Sequence, residues 1–359
     1  MIKQIQTLSM RNNNTKLSIL DCIGNTPLIR LEKMEEELPC QLWAKVEGFN
    51  PGHSAKDRIV NFMLNRAEER GLIKPGDIIV EATSGNTGYS IAMWCAKKGY
   101  RCKLTCTTKT SKEKLDLLKA LGAEVTVCPS VHADDPASYY MVAKRYAEDT
   151  PGAFYLNQNF DTNNSEAHYQ TTGPEIWEQT EGKITHFIGP SGTGGTLCGI
   201  ARFLKEQNPD IKVIGVDGQG SVLKKYFDEG IFDESIASSY KVEGLGKTII
   251  PGNFHVEYLD MMIKAGDKDS ALMARELAKK EGILMGYSSG AVMWSVLHLA
   301  HIFKPGDLVV AMFPDHGSRY LSKIYNDDWM REQGFLDAPK TNGAHKNGVD
   351  SLVKQDVSC

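Results

Sequence analysis

At 359 residues the chain can bury a sizeable core and exceeds a small binding module, and its length suggests about two domains of ~100–200 residues each. Hydrophobic residues make up 41% and charged residues 24%, and a formal net charge of −4 lacks the basic excess that a nucleic-acid partner requires. No stretch approaches the roughly 20 apolar residues of a membrane span, and MIKQIQTLSMRNNNTKLSIL holds no signal-peptide core, so no membrane contact and a cytoplasmic location are expected.

From about Ile78 to Pro314 short β-rich runs alternate with helical patterns, the rhythm of parallel sheets covered by helices. Strands are expected at Ile78–Glu81, Lys103–Cys106, Glu124–Cys128, Ala153–Leu156, His186–Gly189, Lys212–Val216 and Asp307–Phe313. Helices are expected at Lys56–Arg70, Thr87–Lys98, Lys112–Leu121, Ala137–Glu148, Ser165–Gln179, Gly195–Glu206, Lys268–Lys280 and Gly290–His301. The pattern repeats on either side of Asn157–Asn164, which implies two α/β domains with a cleft between them. The expected division is a flexible tail 1–16, a larger unit of 17–53 plus 159–336, a smaller mobile unit of 54–158, and a polar tail 337–359 without order. The cysteines (Cys22, Cys40, Cys95, Cys102, Cys106, Cys128, Cys198, Cys359) lie mostly in apolar runs and read as buried thiols; Cys102 and Cys106 lack CxxC spacing, so no metal is expected.

Three stretches carry chemistry. In Asn50-Pro51-Gly52-His53-Ser54-Ala55-Lys56-Asp57-Arg58, Ser-x-x-Asp suggests a capping box that opens a helix. A lysine is usually a solvated surface charge, but the first helical turn is the positive end of the dipole, which lowers the pKa of Lys56 and makes it an amine nucleophile toward an aldehyde. In Glu81-Ala82-Thr83-Ser84-Gly85-Asn86-Thr87-Gly88 a strand runs into a loop richer in hydroxyls than an ordinary cap needs, a seat for a carboxylate. In Ser191-Gly192-Thr193-Gly194-Gly195-Thr196 the glycines let main-chain N–H groups approach a phosphate. Leu197 breaks the GxGxxG dinucleotide pattern, and Lys241 stands where a Walker loop ending at Gly246-Lys247-Thr248 needs glycine. What remains is a site for one phosphate, one carboxylate and one amine, which together describe a seat for pyridoxal 5′-phosphate and an amino acid.

These residues resemble the fold-type II pyridoxal phosphate enzymes, in particular the cystathionine β-synthase and cysteine synthase group, over about Ser18 to Leu336. The resemblance implies two three-layer open-sheet domains of the tryptophan synthase β-like type, with the active site between them. It implies that Lys56 carries the cofactor, that Asn86 bonds the cofactor's ring hydroxyl, and that Gly192, Thr193, Gly194, Gly195 and Thr196 bind its phosphate. Ser288 falls on the serine that bonds the pyridine nitrogen, by motif register over Ser289; Thr83, Ser84, Gly85, Thr87 and Gln158 fall on the substrate-carboxylate site. The reaction implied is β-replacement on a serine-type amino acid through an aminoacrylate, by a homodimer acting on small amino-acid and thiol substrates. L-serine with homocysteine, giving cystathionine, is preferred, because Glu243 and Asp315 sit near the mouth of the site in that group. O-acetyl-L-serine with sulfide is the alternative, and a non-catalytic binding protein a distant one. Ala82 departs from a usual proline, His53 and Ala55 from glycine and valine, and Asn159 from tyrosine, which bears on substrate preference. Dependence on haem or S-adenosylmethionine is not expected.

Overall fold

The computed structural model describes residue 16, residues 18–83 and residues 85–337. The expected flexible ends therefore lie almost wholly outside the described residues, and Ser84 lies outside them as well.

Among the described residues ten strands form two sheets. β1 (Leu28–Arg30), β2 (Gln41–Val46), β7 (His186–Pro190), β8 (Lys212–Gly218), β9 (Met261–Ala265) and β10 (Leu308–Phe313) make one, in the order β1-β2-β10-β7-β8-β9. Only β1 runs antiparallel to its neighbour; the other pairs are parallel. β3 (Ile78–Ala82), β4 (Arg101–Thr107), β5 (Glu124–Cys128) and β6 (Ala153–Tyr155) make a fully parallel second sheet in the order β5-β4-β3-β6. β10 reads Leu-Val-Val-Ala-Met-Phe because a central parallel strand is buried on both faces. Val309, Ala311 and Phe313 join the core built with Ala271, Leu277, Val292 and Val296. Val310 and Met312 join the opposite core with Leu197, Ile200 and Leu204. The smaller sheet is covered in the same way, with Ile79 and Leu104 against Ile59, Leu64 and Trp94, and Val80 on the other face near Ala143. Each unit thus has three layers.

All seven expected strands form, with ends that shift by at most two residues, as in Arg101–Thr107. β1, β2 and β9 were not foreseen. β2 hides because Lys45, wholly buried next to its last residue, interrupts the apolar run. The short helices Glu32–Glu35, Leu223–Glu229 and Asp327–Glu332 also escaped the reading. The helix expected at Ser165–Gln179 is two, Asn163–Gln170 and Thr172–Gln179. Pro174 has no N–H to give Gln170 O, so it fits the first turn of a new helix and not the interior of a long one. The helix expected at Gly290–His301 runs Tyr287–His298. Of the described cysteines Cys22 is exposed, against expectation, and the other six are buried; all are free thiols. Among the described residues no helix is long and apolar enough to cross a membrane.

Both sheets have one point where the order of strands reverses. In the larger it lies between β7 and β10, in the smaller between β3 and β6. Open parallel sheets bind ligands beyond the carboxyl ends of strands at such reversals. The loops that leave β7, β10, β3 and β6 at those ends carry Gly192–Thr196, Asp315, Thr83–Thr87 and Gln158 respectively.

Candidate active site

Lys56, Asn86, Gly192, Thr193, Gly194, Thr196 and Ser288 line one cavity between the two sheets, together with Ser54, Glu243, Gly244 and Asp315. It is pinched to about 50 Å³. Asn86 Nδ2 donates across it to Asp315 Oδ2 at 2.8 Å. A wider groove of about 620 Å³ lies elsewhere, against Arg58, Phe62 and Glu175, and includes neither the amine nor the glycine loop.

Lys56 opens the helix Lys56–Glu69. The capping box does not form: Asp57 turns away from the cap, its Oδ2 accepting from Gly52 N at 2.5 Å and its Oδ1 from Ser90 Oγ at 2.5 Å. Ser54 Oγ accepts instead from Lys56 N at 3.3 Å. Arg58 is held on the far side by Glu47 and Glu175, each at 2.6 Å. The residues after Lys56 are thus clamped from both units, which fixes the amine. Burial first, and the charge of Lys247 second, pull that amine down to about 8, against an opposing pull from Asp315. Burial and a neighbouring cation, then, are the main causes, where the sequence suggested the helix dipole.

Gly195 begins the helix Gly195–Gln207, with Gly194 before it at φ +85°. Among the described residues no acceptor takes the N–H groups of Gly192, Thr193, Gly194 or Gly195, so several main-chain donors meet at the start of a helix of 13 residues. That is the donor set an anion needs. A Cβ on Gly192 would lie 2.8 Å from Gly244 O, on Gly194 2.5 Å from Asn253 O, and on Gly195 1.9 Å from Asn164 Oδ1. Close packing behind the loop therefore demands the glycines, more than room for a phosphate in front. Thr193 Oγ1 accepts from Asn164 Nδ2 at 3.0 Å, and Thr196 Oγ1 lies 3.0 Å from Nε2 of His168, whose pKa burial lowers to about 3, so the ring is neutral.

Across the cleft, Thr83 and Thr87 are buried beside Gly85 at the start of the helix Asn86–Lys98. Thr87 Oγ1 donates to Gln158 Oε1 at 2.7 Å, which brings the two parts of the expected carboxylate site together. Ser288 lines the cavity, whereas Ser289 Oγ is buried without a partner and does not. Gly195 does not reach the cavity wall either; it lies behind the loop, against Asn164.

Sequence reasoning gave Asp315 and Glu243 only as mouth residues by family likeness, yet both line the cavity. Asp315 Oδ2 also accepts from Tyr320 O–H at 2.7 Å, and burial raises its carboxyl. Glu243 is gripped between Lys114 and Lys323. Lys247 was weighed only as part of a failed nucleotide loop; its effect on Lys56 has no signal in the sequence.

The residues present fit pyridoxal phosphate: a depressed amine, free N–H groups for one phosphate, and between them the half-buried amide of Asn86 and the buried hydroxyl of Ser288. The comparisons agree. The chain is 44% identical to a cystathionine beta-synthase of Dictyostelium discoideum over 321 residues, which is 89% of this chain and 64% of that one. It is 38% identical to cysteine synthase 1 of Emericella nidulans, over 89% of this chain and 87% of that one. The crystal structure of an O-ureido-L-serine synthase matches with a TM-score of 0.80 at 33% identity, covering 88% of this chain and 99% of its own. The chain thus spans less than two thirds of the length of the cystathionine beta-synthase it matches. A family model described as pyridoxal-phosphate dependent enzyme matches residues 19–315, a stretch that contains every residue of the cavity, and the chain belongs to that family.

Proposed function

We propose that the chain catalyses β-replacement on a serine-type amino acid, condensing L-serine with homocysteine to cystathionine. The observation that carries the reading is the meeting of the Lys56 amine, the Gly192–Thr196 loop and Asn86 on one cavity. Pyridoxal phosphate, when bound, supplies the electron sink. The N–H groups of Gly192–Gly195 would hold its phosphate, Asn86 would orient its ring, and Ser288 would give the ring nitrogen a neutral partner. Thr83, Gly85, Thr87 and Gln158, with Ser84 outside the described residues, would hold the donor carboxylate. Lys56 Nζ, pulled down to about 8, is the group that takes and returns the Cα proton near neutral pH. The unit of residues 54–158 would close over the donor and exclude water.

Serine with homocysteine is favoured by the higher identity to a cystathionine beta-synthase and by two carboxylates on the cavity, which suit an acceptor that carries an ammonium. One observation supports O-acetyl-L-serine with sulfide: Lys114 and Lys323 already neutralise Glu243, and sulfide needs no anionic partner. We also infer a homodimer; Phe49, 65% exposed beside the Asn50 turn, offers an anchor for a second copy, which sedimentation would test.

The test is product analysis of the cofactor-loaded protein with each donor and acceptor pair. Cystathionine from serine and homocysteine is expected. Cysteine from O-acetyl-L-serine and sulfide without cystathionine would move the assignment, and no product from either pair would remove it.

A further inference from the structure

Glu81 is a wholly buried carboxylate that takes part in no ion pair among the described residues and does not line the cavity. Its Oε1 accepts from Ala82 N at 3.0 Å and its Oε2 from Gln158 N at 3.2 Å, and the Asn157 N–H also points toward it. Asn157 has φ +55°, a left-handed conformation that a residue with a side chain seldom adopts. Successive N–H groups around such a residue form a concave seat for an anion. Glu81 fills that seat from the neighbouring strand. Gln158 is held at its other end too, since its carbonyl accepts from Asn164 Nδ2 at 2.7 Å and from Asn253 Nδ2 at 3.3 Å. With both ends of its main chain fixed, its side chain meets Thr87 Oγ1 at 2.7 Å.

We propose that Glu81 is a positioning residue for the donor amino acid: its carboxylate seats the Asn157–Gln158 turn and so sets where the Gln158 amide lies opposite Thr87. The proposal rests on the reading of Thr83–Thr87 and Gln158 as the donor-carboxylate site.

A pH dependence follows. Burial pulls the Glu81 carboxyl up to about 7, against the N–H groups of Gln158 and Ala82 and the charge of Lys247. Lys247 faces it from the larger unit, and Tyr139 and Tyr155 from the smaller, both phenols held neutral by burial. The two N–H donors of Ala82 and Gln158 favour an ionised acceptor, so the seat is best filled above about 7 and donor affinity falls as pH drops through that value.

The test uses the cofactor-loaded protein without acceptor. Binding of L-serine and of O-acetyl-L-serine is read from the cofactor's visible absorbance across neutral pH for wild type, Glu81→Gln and Ala82→Pro. Glu81→Gln is expected to weaken binding roughly tenfold above pH 7, the effect of losing a hydrogen bond to a charged group, and to flatten the limb. Ala82→Pro removes a single donor to the ionised form, so its limb moves to higher pH. Borohydride fixation of the cofactor on Lys56 should be unchanged in both, which checks the fold. Wild-type affinity and an intact limb in Glu81→Gln overturn the proposal. If that variant does not load cofactor, an unmoved limb in Ala82→Pro overturns it. A wild type that binds neither amino acid overturns the carboxylate site and this proposal together; one that binds a donor but yields no β-replacement product overturns the proposed function alone.

Discussion

Replacing Lys247 by methionine removes a positive charge that acts on the Lys56 amine. With a pKa of about 8, roughly one Lys56 in ten lacks its proton at pH 7, against about one in three thousand for a lysine at its ordinary 10.5. Loss of Lys247 should therefore lower the free-amine fraction at pH 7. The assay is the rate of covalent pyridoxal phosphate capture by the apo-protein, followed by absorbance over a pH series, with Lys56→Ala as the blank. Capture should have its midpoint near 8 in wild type and higher in Lys247→Met. The same shift acts on stability. The folded pKa lies below the unfolded one, so the unfolded chain binds more protons between about 8 and about 10.5, and apo-protein stability rises with pH across that window. The ceiling is about 3 kcal/mol, less whatever water in the cleft screens, since Lys56 is only half-buried by exposure. A midpoint that stays put or falls in Lys247→Met would refute the electrostatic argument and leave burial as the sole cause.

Arg58→Met should destabilise the protein by about 3–5 kcal/mol in denaturant unfolding, because Glu47 and Glu175 would remain as buried charges without their main partner. Burial alone would raise Glu47, but Arg58 overrides it and holds the carboxyl at about 2, so its contribution is full above about 4.5 and lost as pH falls toward 2; acid unfolding of wild type should track that loss. Gly195→Ala would place a Cβ 1.9 Å from Asn164 Oδ1, and turning Asn164 away breaks its bonds to Gln158 O and Thr193 Oγ1. About 2 kcal/mol of stability should go with them, and inorganic phosphate should raise the melting temperature of the wild type but not of this variant.

The strands that carry the site were legible because each is a compact apolar run ending in a burst of glycine, serine and threonine. β7 running into Gly192–Thr196 and β3 running into Thr83–Thr87 both show it. The motif around Lys56 singled out that amine, whereas Gln158 came only from the family resemblance. What stayed hidden depends on pairings distant in sequence. β2 reads poorly because Lys45 is buried there, acceptable only since Nζ meets Thr26 O at 2.7 Å and Glu175 at 2.6 Å. The Ser54-x-x-Asp57 pattern suggested a cap by local logic, but Ser90, on another helix, claims the aspartate. Lys247 and Glu81 act through space on residues far along the chain, and no spacing rule records that.

The contacts across the cleft are graded in burial, which predicts how it opens. The inner one is the Asn86–Asp315 bond backed by Tyr320, and at the rim lies Glu243 between Lys114 and Lys323, side chains that are 20–30% exposed. Salt screens exposed charges over a Debye length of about 8–10 Å and reaches buried hydrogen bonds far less. The helix Lys112–Ala120, which carries Lys114, buries only Leu118, whereas the helix Lys56–Glu69 buries seven side chains, among them Asp57 and Arg58. Opening should therefore start at the rim, with Lys112–Ala120 leaving first while the amine stays anchored. Hydrogen exchange should be faster in Lys112–Ala120 than in Lys56–Glu69, and should rise with salt in the first helix alone. Lys114→Met at low salt should reproduce that pattern. Exchange that rose equally in both helices would mean that the units part as rigid bodies, with the rim ion pair no weaker a link than the inner bond behind it.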